Sequence, residues 1–385
     1  MKFQYRKKCV ITEKKDLEHL HTIKNLAIYI GCTNKSQKKD IKEDMEVYIS
    51  RSSGVIQLRK LLPLDVVYFE YHSEAVGKVW KKHFQEFSKF ILKNNKSKKI
   101  IEIGGSNGHL AQVCLNLDKN LKWTIIEPNP EKKKFKDKNI NIVKSFIENK
   151  LDILSKDTTL VHSHTLEHFY NPLDFFKSVS KRSNPGDMMI FSIPDLFKSL
   201  KKKHVNTLNF EHTYFITEEV ADFLIKKSGY KIIDKKYFEE HSIFYAIKFT
   251  GVNKFIQKNN FLNKYSKYRK MYIDFIKNVE AEVLRINKLI NQFKNKNPES
   301  KIYLFGAHIF SQFLISKGLK TDKINAILDN SLMKNGKRLY GTNLHVISPN
   351  DIKDKSSLII LKAGQYQGEL KKQFNKISKK FRYIN

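Results

Sequence analysis

An apolar strand that ends in a glycine turn is the feature that most constrains the fold of this chain. Ile100–Ile103 reads as a buried strand, and Gly104, Gly105 and Gly108 separate it from a predicted helix. Glycine lets the backbone approach a ligand closely, and the N-terminus of a helix favours electron-rich groups. Glu127 comes 23 residues after Gly104 and ends the next strand, where a carboxylate can accept both hydroxyls of a ribose. The pattern predicts an α/β domain that binds a nucleoside-type ligand.

Short strands and helices alternate along most of the chain that follows. The predicted strands of the first unit are Ile100–Ile103, Trp123–Ile126, Ile140–Val143, Thr159–His162, Met188–Ser192, Tyr230–Lys235 and Ile243–Phe249. Its predicted helices are Val76–Leu92, His109–Leu117, Leu173–Val179 and Thr217–Lys227. This alternation is typical of a mainly parallel, doubly wound sheet.

A long amphipathic helix is predicted within residues 252–297, and a second, smaller α/β unit follows it. The predicted elements of that unit are Ile302–Phe305, Ile309–Lys317, Ile324–Leu328 and Leu358–Leu361. We therefore expect four parts: an N-terminal lobe over 1–75, a sheet domain over 76–250, a linking helix over 251–298 and a C-terminal α/β domain over 299–385.

The composition excludes several classes of protein. Three cysteines without a C-x-x-C pair argue against a disulfide scaffold and against a zinc site. We find no apolar stretch of about 18 residues and no signal peptide, so we expect a protein of the reducing cytoplasm. The formal charge of +33 comes almost entirely from lysine, which matches a codon bias towards AT-rich sequence, although a polyanionic partner would also explain it.

Three further segments resemble the class I S-adenosylmethionine methyltransferases. They are Glu102 inside the first strand, Ser163–His168 after the fourth strand, and Asn184–Ile190 before the fifth. The competing dinucleotide fold requires a fully spaced G-x-G-x-x-G, which the turn lacks. The resemblance implies S-adenosyl-L-methionine as cofactor, held by Glu102, Gly104, Gly105, Asn107, Gly108, Glu127, Phe146 and His164. Asn107 and Phe146 are assigned by position alone.

A second resemblance, to the sugar C-methyltransferases that build branched deoxysugars on nucleotide carriers, covers roughly residues 65–385. Thr207–Phe215 is similar to the Y-H-E-H-x-x-Y-F segment of that family, and Tyr68–Ser73 to its Y-x-Y-H-S segment. Four C-terminal segments follow the family in order and spacing: Leu304–Ala307, Ile327–Asn330, Lys334–Arg338 and Tyr340–Thr342. The resemblance implies a cytoplasmic enzyme that methylates a sugar, with C-methylation of a nucleotide-linked keto-sugar favoured.

The chain departs from this family where the family holds zinc and substrate. Only Cys9 and Cys32 stand in a lobe that normally has four zinc-binding cysteines, so we predict no metal. Asn209 replaces a tyrosine, and the family's H-G-G-S reads Glu240–Ile243 without its glycines. The identity of the acceptor atom, carbon or oxygen, therefore stays open.

Removal of a proton from the acceptor is the chemistry that the protein itself must supply. His212 is the first candidate for general base, because the pKa of histidine lies near the operating pH. Glu211 could orient His212 or bind a sugar hydroxyl, and Tyr71 and Tyr214 could stabilise a developing oxyanion. His241 is a second candidate base.

His168 and His83 are expected to be structural, since the first lies in a Leu-Glu-His segment common to methyltransferases and the second has helical spacing beside an aromatic stripe. The C-terminal unit lacks a complete phosphate loop, so no second cofactor is expected.

Three alternatives remain at this point. The first is a sugar O-methyltransferase of surface-glycan biosynthesis, such as capsule or lipopolysaccharide. The second is a nucleic-acid methyltransferase, although the segment Ser163–Leu166 lacks the paired prolines that amino-methylating enzymes of that class carry. The third is a binding protein that kept the fold without its activity, although the glycine turn and Glu127 argue against this.

Overall fold

The structure is a computed structural model that describes residues 2–68, 77–130, 137–154, 157–204, 208–251 and 263–385. Its N-terminal part is a small β-rich lobe. The elements of this lobe are β1 (Gln4–Tyr5), β2 (Leu17–Ala27), β3 (Cys32–Thr33), β4 (Lys42–Ser50), β5 (Ile56–Leu58), β6 (Lys60–Leu61) and the short helix α1 (Leu64–Val67). Strands β2, β4 and β5 form an antiparallel sheet, and β1 pairs with β6.

The core face of this lobe follows the two-residue period of a strand. Met45, Val47 and Ile49 alternate along β4 and are fully buried. Strand β2 is less regular, because its pairing with β4 shifts register twice, once after His19 and once after Ile23.

The central part confirms the predicted α/β sheet. Its elements are α2 (Lys78–Asn94), β7 (Lys99–Ile103), α3 (His109–Leu117), β8 (Lys122–Glu127), β9 (Ile140–Lys144), β10 (Thr158–Ser163), α4 (Pro172–Ser180), β11 (Met188–Pro194), α5 (Leu196–Lys201), α6 (Glu218–Lys227), β12 (Tyr230–Phe238) and β13 (Ser242–Phe249). The strand order is β12-β13-β11-β10-β7-β8-β9. Strand β13 runs antiparallel to both of its neighbours, β12 and β11, and the pairs from β11 to β9 are parallel. The carboxyl ends of β7, β8 and β10 therefore meet at one edge, where ligands of open α/β sheets bind.

A helix of 32 residues, α7 (Tyr265–Lys296), leads into the second α/β unit. That unit contains β14 (Ile302–Phe305), α8 (Ile309–Ser316), β15 (Ala326–Leu328), β16 (Arg338–Leu339), β17 (Val346–Ile347), β18 (Leu358–Ile360), α9 (Gln367–Ile377) and β19 (Arg382–Ile384). Five of these strands form a parallel sheet in the order β17-β15-β14-β18-β19. The predicted second, smaller α/β domain is thus confirmed, while the predicted domain boundaries stay predictions.

The N-terminal lobe is joined to the C-terminal unit by both main-chain and side-chain contacts. Strand β3 pairs with β16, and the Arg338 guanidinium forms a buried, two-pronged ion pair with Asp40 at 2.5 and 2.9 Å. The Gln312 amide also donates to the carbonyl of Tyr29 in the lobe. The lobe therefore holds the second α/β unit in place beside the central sheet.

Candidate active site

The turn between β7 and α3 has a backbone that only glycine adopts comfortably. Gly104 and Gly108 have φ angles of 70° and 67°. The Gly104 amide donates to the carbonyl of Ile126 at 2.9 Å, which ties the end of β7 to β8. A Cβ atom on Gly104 would lie 2.9 Å from the Thr165 hydroxyl oxygen. The turn is thus packed against the loop that follows β10.

Gly105 leaves room for the acidic side chain of the first strand. A Cβ atom at this position would lie 2.7 Å from Ile125 Cγ2 and 2.9 Å from Glu102 Cδ. The Glu102 carboxylate is buried and accepts a hydrogen bond from the Trp123 indole at 2.8 Å. The predicted acid therefore lies fixed directly beneath the turn and lines the cavity described below.

Glu127 closes the same cradle from the end of β8. Its carboxylate oxygens accept from the Ser106 amide at 3.1 Å and from the Asn129 amide at 3.0 Å. The Asn107 side chain accepts from the His109 amide at 2.9 Å at the start of α3. This arrangement fits a nucleoside cofactor, because a carboxylate anchored over a glycine turn can accept hydrogen bonds from a ribose diol.

The other two predicted cofactor residues differ in placement. His164 follows β10, lines the cavity and has its Nε2 atom 2.8 Å from the Ser242 hydroxyl. Phe146 follows β9, where its ring meets the edge of the Tyr68 ring at a centroid distance of 6.2 Å. Phe146 is not among the residues that line the cavity, so its contact with the adenine stays a prediction.

One large cavity, of about 770 Å³, opens at the carboxyl edge of the central sheet. Its walls come from both α/β units. The central unit contributes the glycine turn, Trp80 and the segment 209–212, and the C-terminal unit contributes Gly306, Asp329 and Lys334. Such a volume suits a cofactor or substrate of substantial size.

The segment with the first candidate base is held by a side-chain turn. Asn209 Oδ1 accepts from the amides of Glu211 and His212, both at 2.8 Å. The side chains of Glu211 and His212 both line the cavity. The structure therefore brings these two predicted catalytic residues to the same wall.

His168 lies beside them, although we expected it to be structural. Its ring meets the His212 ring edge-on at 5.2 Å, and its Nδ1 atom lies 3.8 Å from Glu211 Oε2 and 2.9 Å from the Tyr68 hydroxyl. The ring also lines the cavity. The Leu-Glu-His segment thus turns its histidine towards the site, and a structural role for His168 stays a prediction.

Glu167 was missed by the sequence reading. Its carboxylate is fully buried, no other described residue donates a hydrogen bond to it, and its Oε1 atom lies 3.8 Å from His168 Nε2. Burial disfavours the charged form and raises the pKa of Glu167 to about 8. The neutral form of this carboxyl group is therefore favoured near neutral pH.

A second group of histidines surrounds the Ser242 hydroxyl. Nitrogens of His83, His164 and His241 lie 3.1, 2.8 and 2.5 Å from the Ser242 hydroxyl oxygen. Burial lowers the pKa of His241 to about 4, so its neutral ring is a weak proton acceptor. His241 lines the cavity, and His83 packs behind it as expected.

Two groups among the described residues have potential metal ligands within 4.8 Å of one another: His83, His164 and His241, and Glu167, His168 and His212. The Ser242 hydroxyl occupies the centre of the first group. The three cysteines are buried, and Cys9 and Cys32 contact different partners, Ser53 and the carbonyl of Ala307. That the chain holds no metal stays a prediction.

The structure does not bring Tyr214, one of the two predicted oxyanion-binding tyrosines, to the site. Tyr214 is fully buried, and its hydroxyl donates to the Leu166 carbonyl at 2.8 Å. Since this donor is already used and the ring does not line the cavity, Tyr214 is corrected from a catalytic to a packing residue. Tyr71 lies outside the described residues.

A second cradle, which we did not predict, lines the cavity from the C-terminal unit. The Gly306 amide donates to the Leu328 carbonyl at 2.8 Å, and the Ala307 amide donates to Asp329 Oδ2 at 2.9 Å. Lys334 Nζ lies 3.1 Å from the same carboxylate oxygen. A sequence signal existed, because Asp329 follows Gly306 by 23 residues, as Glu127 follows Gly104.

Comparison with known proteins adds two family matches. The family described as "Methyltransferase domain" matches residues 73–235, and the family described as "C-methyltransferase C-terminal domain" matches residues 250–381. No curated protein matches the chain. Among the described residues, no helix combines the length and the apolar character needed to cross a membrane.

The solved structures that the chain resembles include the N-methyltransferase NodS from Bradyrhizobium japonicum WM9. Its identity is 12%, over 46% of this chain and 98% of that chain, with a TM-score of 0.34. An S-adenosylmethionine-dependent methyltransferase from Clostridium acetobutylicum ATCC 824 is 17% identical over 44% of this chain and 92% of that chain, with a TM-score of 0.35.

The cradle at the carboxyl edge and the two family matches lead to one conclusion about the chain. It is an enzyme, an S-adenosyl-L-methionine-dependent methyltransferase with a C-methyltransferase C-terminal domain.

Proposed function

We propose that this enzyme methylates a nucleotide-linked sugar, and that the acceptor atom is a carbon next to a ketone. The observation that carries the proposal is the shared cavity, which is lined by the cofactor cradle, by Glu211 and His212, and by the C-terminal cradle. A donor and an acceptor that both carry nucleosides require two such cradles at one cavity.

The two cradles have matching main-chain geometry. In each, the amide of a glycine with positive φ donates to the carbonyl 22 residues later, at 2.9 Å for Gly104 and 2.8 Å for Gly306. In each, a nearby amide then donates to an acid at the end of the second strand: Glu127 is the last residue of β8, and Asp329 directly follows β15. Because a carboxylate at this point can accept from a ribose diol, the match supports a nucleoside at Asp329. Lys334 beside Asp329 adds a positive charge that favours a diphosphate.

The catalytic residues follow from the chemistry of the acceptor. When bound, S-adenosyl-L-methionine supplies an electrophilic methyl group on a sulfonium. We assign His212 to take the proton from the carbon beside the ketone, which leaves the electron pair as an enolate nucleophile. Glu211 orients His212 or binds a sugar hydroxyl, and the cavity walls restrict the access of water.

A hydroxyl acceptor is the second candidate, and the placement of Tyr214 favours it. An enolate needs a donor for its developing oxyanion, whereas a hydroxyl acceptor does not. The Tyr214 hydroxyl already donates to the Leu166 carbonyl, so it is not available to stabilise an oxyanion. Asn209, which replaces the family tyrosine, has its side-chain oxygen on two amides, which leaves its Nδ2 amide group as the donor of that side chain.

Deuterium exchange separates the two acceptors. The enzyme is incubated in D₂O with S-adenosylhomocysteine and a panel of nucleoside-diphosphate keto-deoxysugars, and the proton beside the ketone is followed by NMR. Carbon methylation predicts exchange that depends on His212 and is lost in His212→Gln. Retained exchange in His19→Gln, an exposed histidine outside the site, is the control. Methyl transfer without exchange would favour the hydroxyl acceptor.

We also propose that nucleic acid is not a partner. The positive charge comes mostly from lysine, whose ammonium lacks the guanidinium fork that reads base edges. Binding of RNA that falls steeply with salt concentration would contradict this part of the proposal.

A further inference from the structure

Arg6 in the N-terminal lobe has a buried guanidinium whose acceptors are mostly main-chain carbonyls. Nη1 donates to the carbonyls of Thr213 and, at 3.3 Å, Leu58. Nη2 donates to the Tyr170 carbonyl at 2.6 Å, to the Phe169 carbonyl at 3.4 Å and to the Thr213 hydroxyl at 3.0 Å. The guanidinium therefore joins three separate segments of the chain.

No carboxylate among the described residues forms an ion pair with this buried cation. Burial lowers the pKa of Arg6 to about 10, so the group still carries its charge at neutral pH. A buried charge is costly unless hydrogen bonds replace the lost water, and here the carbonyl oxygens and the Thr213 hydroxyl do so for the two terminal nitrogens, while Nε has no acceptor among the described residues. Five hydrogen bonds donated by one side chain fix the relative positions of the segments that accept them.

Two of these segments carry the candidate catalytic residues. Thr213 directly follows Glu211 and His212, and Phe169 directly follows His168. The two segments also contact each other, because the Thr213 amide donates to the Glu167 carbonyl at 3.0 Å and its hydroxyl donates to the Phe169 carbonyl at 2.7 Å. Arg6 does not line the cavity, so it contacts these segments from behind.

We propose that Arg6 is a positioning residue that sets the segment of Glu211 and His212 against the segment of His168. The catalytic consequence rests on the proposed function of His212, while the positioning itself does not. In this arrangement the N-terminal lobe holds the catalytic wall from outside the methyltransferase sheet.

Lysine cannot replace arginine at this position. The contacts spread over two terminal nitrogens in one plane, whereas a lysine ammonium offers its donors from a single atom. Arg6→Lys therefore retains the charge and loses the simultaneous contacts to Thr213 and Tyr170. Arg6→Met removes both the charge and the contacts at similar length.

The test observes the histidine rings directly. The protein is labelled with ¹⁵N in the histidine rings, and its signals are assigned by His→Gln variants. In Arg6→Lys and Arg6→Met, we expect the signals of His168 and His212 to shift and broaden, and those of His83 and His164 to stay unchanged. Arg338→Lys, a substitution at another buried arginine, is the matched control and should leave the His168 and His212 signals in place.

Two further measurements separate positioning from general stability. Affinity for S-adenosylhomocysteine should stay within about twofold of the wild type, whereas kcat for methyl transfer should fall about 10²-fold, the cost of a displacement near 1 Å. Millimolar guanidinium should restore part of the kcat of Arg6→Ala. If that variant does not fold, Arg6→Lys carries the test alone.

Unchanged ring signals of His168 and His212 in both Arg6→Lys and Arg6→Met would overturn the proposal. Shifted signals in these variants, together with a wild type that methylates no nucleotide sugar, would uphold the positioning role and reject the proposed acceptor. The two failures are thus distinguishable.

Discussion

Addition of one methyl group at Gly105 tests the geometry of the cofactor cradle. In Gly105→Ala, the new Cβ would lie 2.7 Å from Ile125 Cγ2 and 2.9 Å from Glu102 Cδ. Both neighbours are buried on the sheet, so neither can move without a shift of packed atoms.

The magnitude follows from two effects. Overpacking of a core position costs about 1–3 kcal/mol. Displacement of Glu102 also breaks its hydrogen bond from the Trp123 indole, and a buried donor left without an acceptor costs about 1–3 kcal/mol. At about 2–4 °C per kcal/mol for a domain of this size, Tm should fall by about 4–24 °C. Affinity for S-adenosylhomocysteine should fall at least about tenfold, because each 1.4 kcal/mol lost from the cradle is a factor of ten.

Thermal unfolding and calorimetric titration with S-adenosylhomocysteine measure these two effects. Gly368→Ala is the matched control, since no heavy atom lies within 4 Å of its added Cβ and the residue lies on α9. There the same substitution should raise stability by about 0.4–1 kcal/mol and leave the affinity unchanged. If Gly105→Ala retained both the wild-type Tm and the wild-type affinity, the proposed contact between the turn and Glu102 would be refuted.

Three further predictions concern the acids of the two cradles and Glu167. Glu127→Ala should weaken S-adenosylhomocysteine binding about 10- to 100-fold, the loss of one or two hydrogen bonds to a charged group, and leave nucleoside-diphosphate binding unchanged in calorimetry. Asp329→Ala should weaken nucleoside-diphosphate binding and leave S-adenosylhomocysteine binding unchanged. Equal losses of affinity for both ligands in either variant would contradict two separate cradles. The raised pKa of Glu167, about 8 against 4.5 in the unfolded chain, means that the folded state binds the extra proton, so stability falls as pH rises from about 4.5 to about 8. Glu167→Gln should remove this contribution to the pH dependence of stability and be more stable than the wild type at pH 8. Tm measurements across pH 5–8 would test this, and parallel Tm profiles of the two proteins would contradict a protonated Glu167.

The methyltransferase sheet could be predicted from sequence because its signals are local. The strand Lys99–Ile103, the glycine turn and the helix His109–Leu117 follow one another directly, and each has its own periodicity. The acid Glu127 follows at a spacing that the fold itself fixes. Local sequence patterns were therefore sufficient to predict the strand, the turn and the helix that follows it.

The N-terminal lobe was predicted as a separate part, but its strands were not, although part of their signal was present. Met45, Val47 and Ile49 alternate as a half-buried strand requires, but two register shifts in β2 interrupt the same alternation there. Arg6 gives no sequence signal at all, because its partners are main-chain carbonyls up to 207 residues away. The side-chain direction of Tyr214 was likewise set by tertiary packing.

The central claim is that the cavity brings a methyl donor and a nucleotide-linked keto-sugar together. The most direct test incubates the enzyme with S-adenosyl-L-methionine labelled with ¹³C in its methyl group and a panel of nucleoside-diphosphate keto-deoxysugars. Carbon NMR of the products then distinguishes a methyl group on carbon from one on oxygen by its chemical shift. We predict a labelled methyl group on the carbon beside the ketone, formed by the wild type and not by His212→Gln. A folded, cofactor-binding enzyme that transfers no label to any sugar nucleotide would contradict the claim.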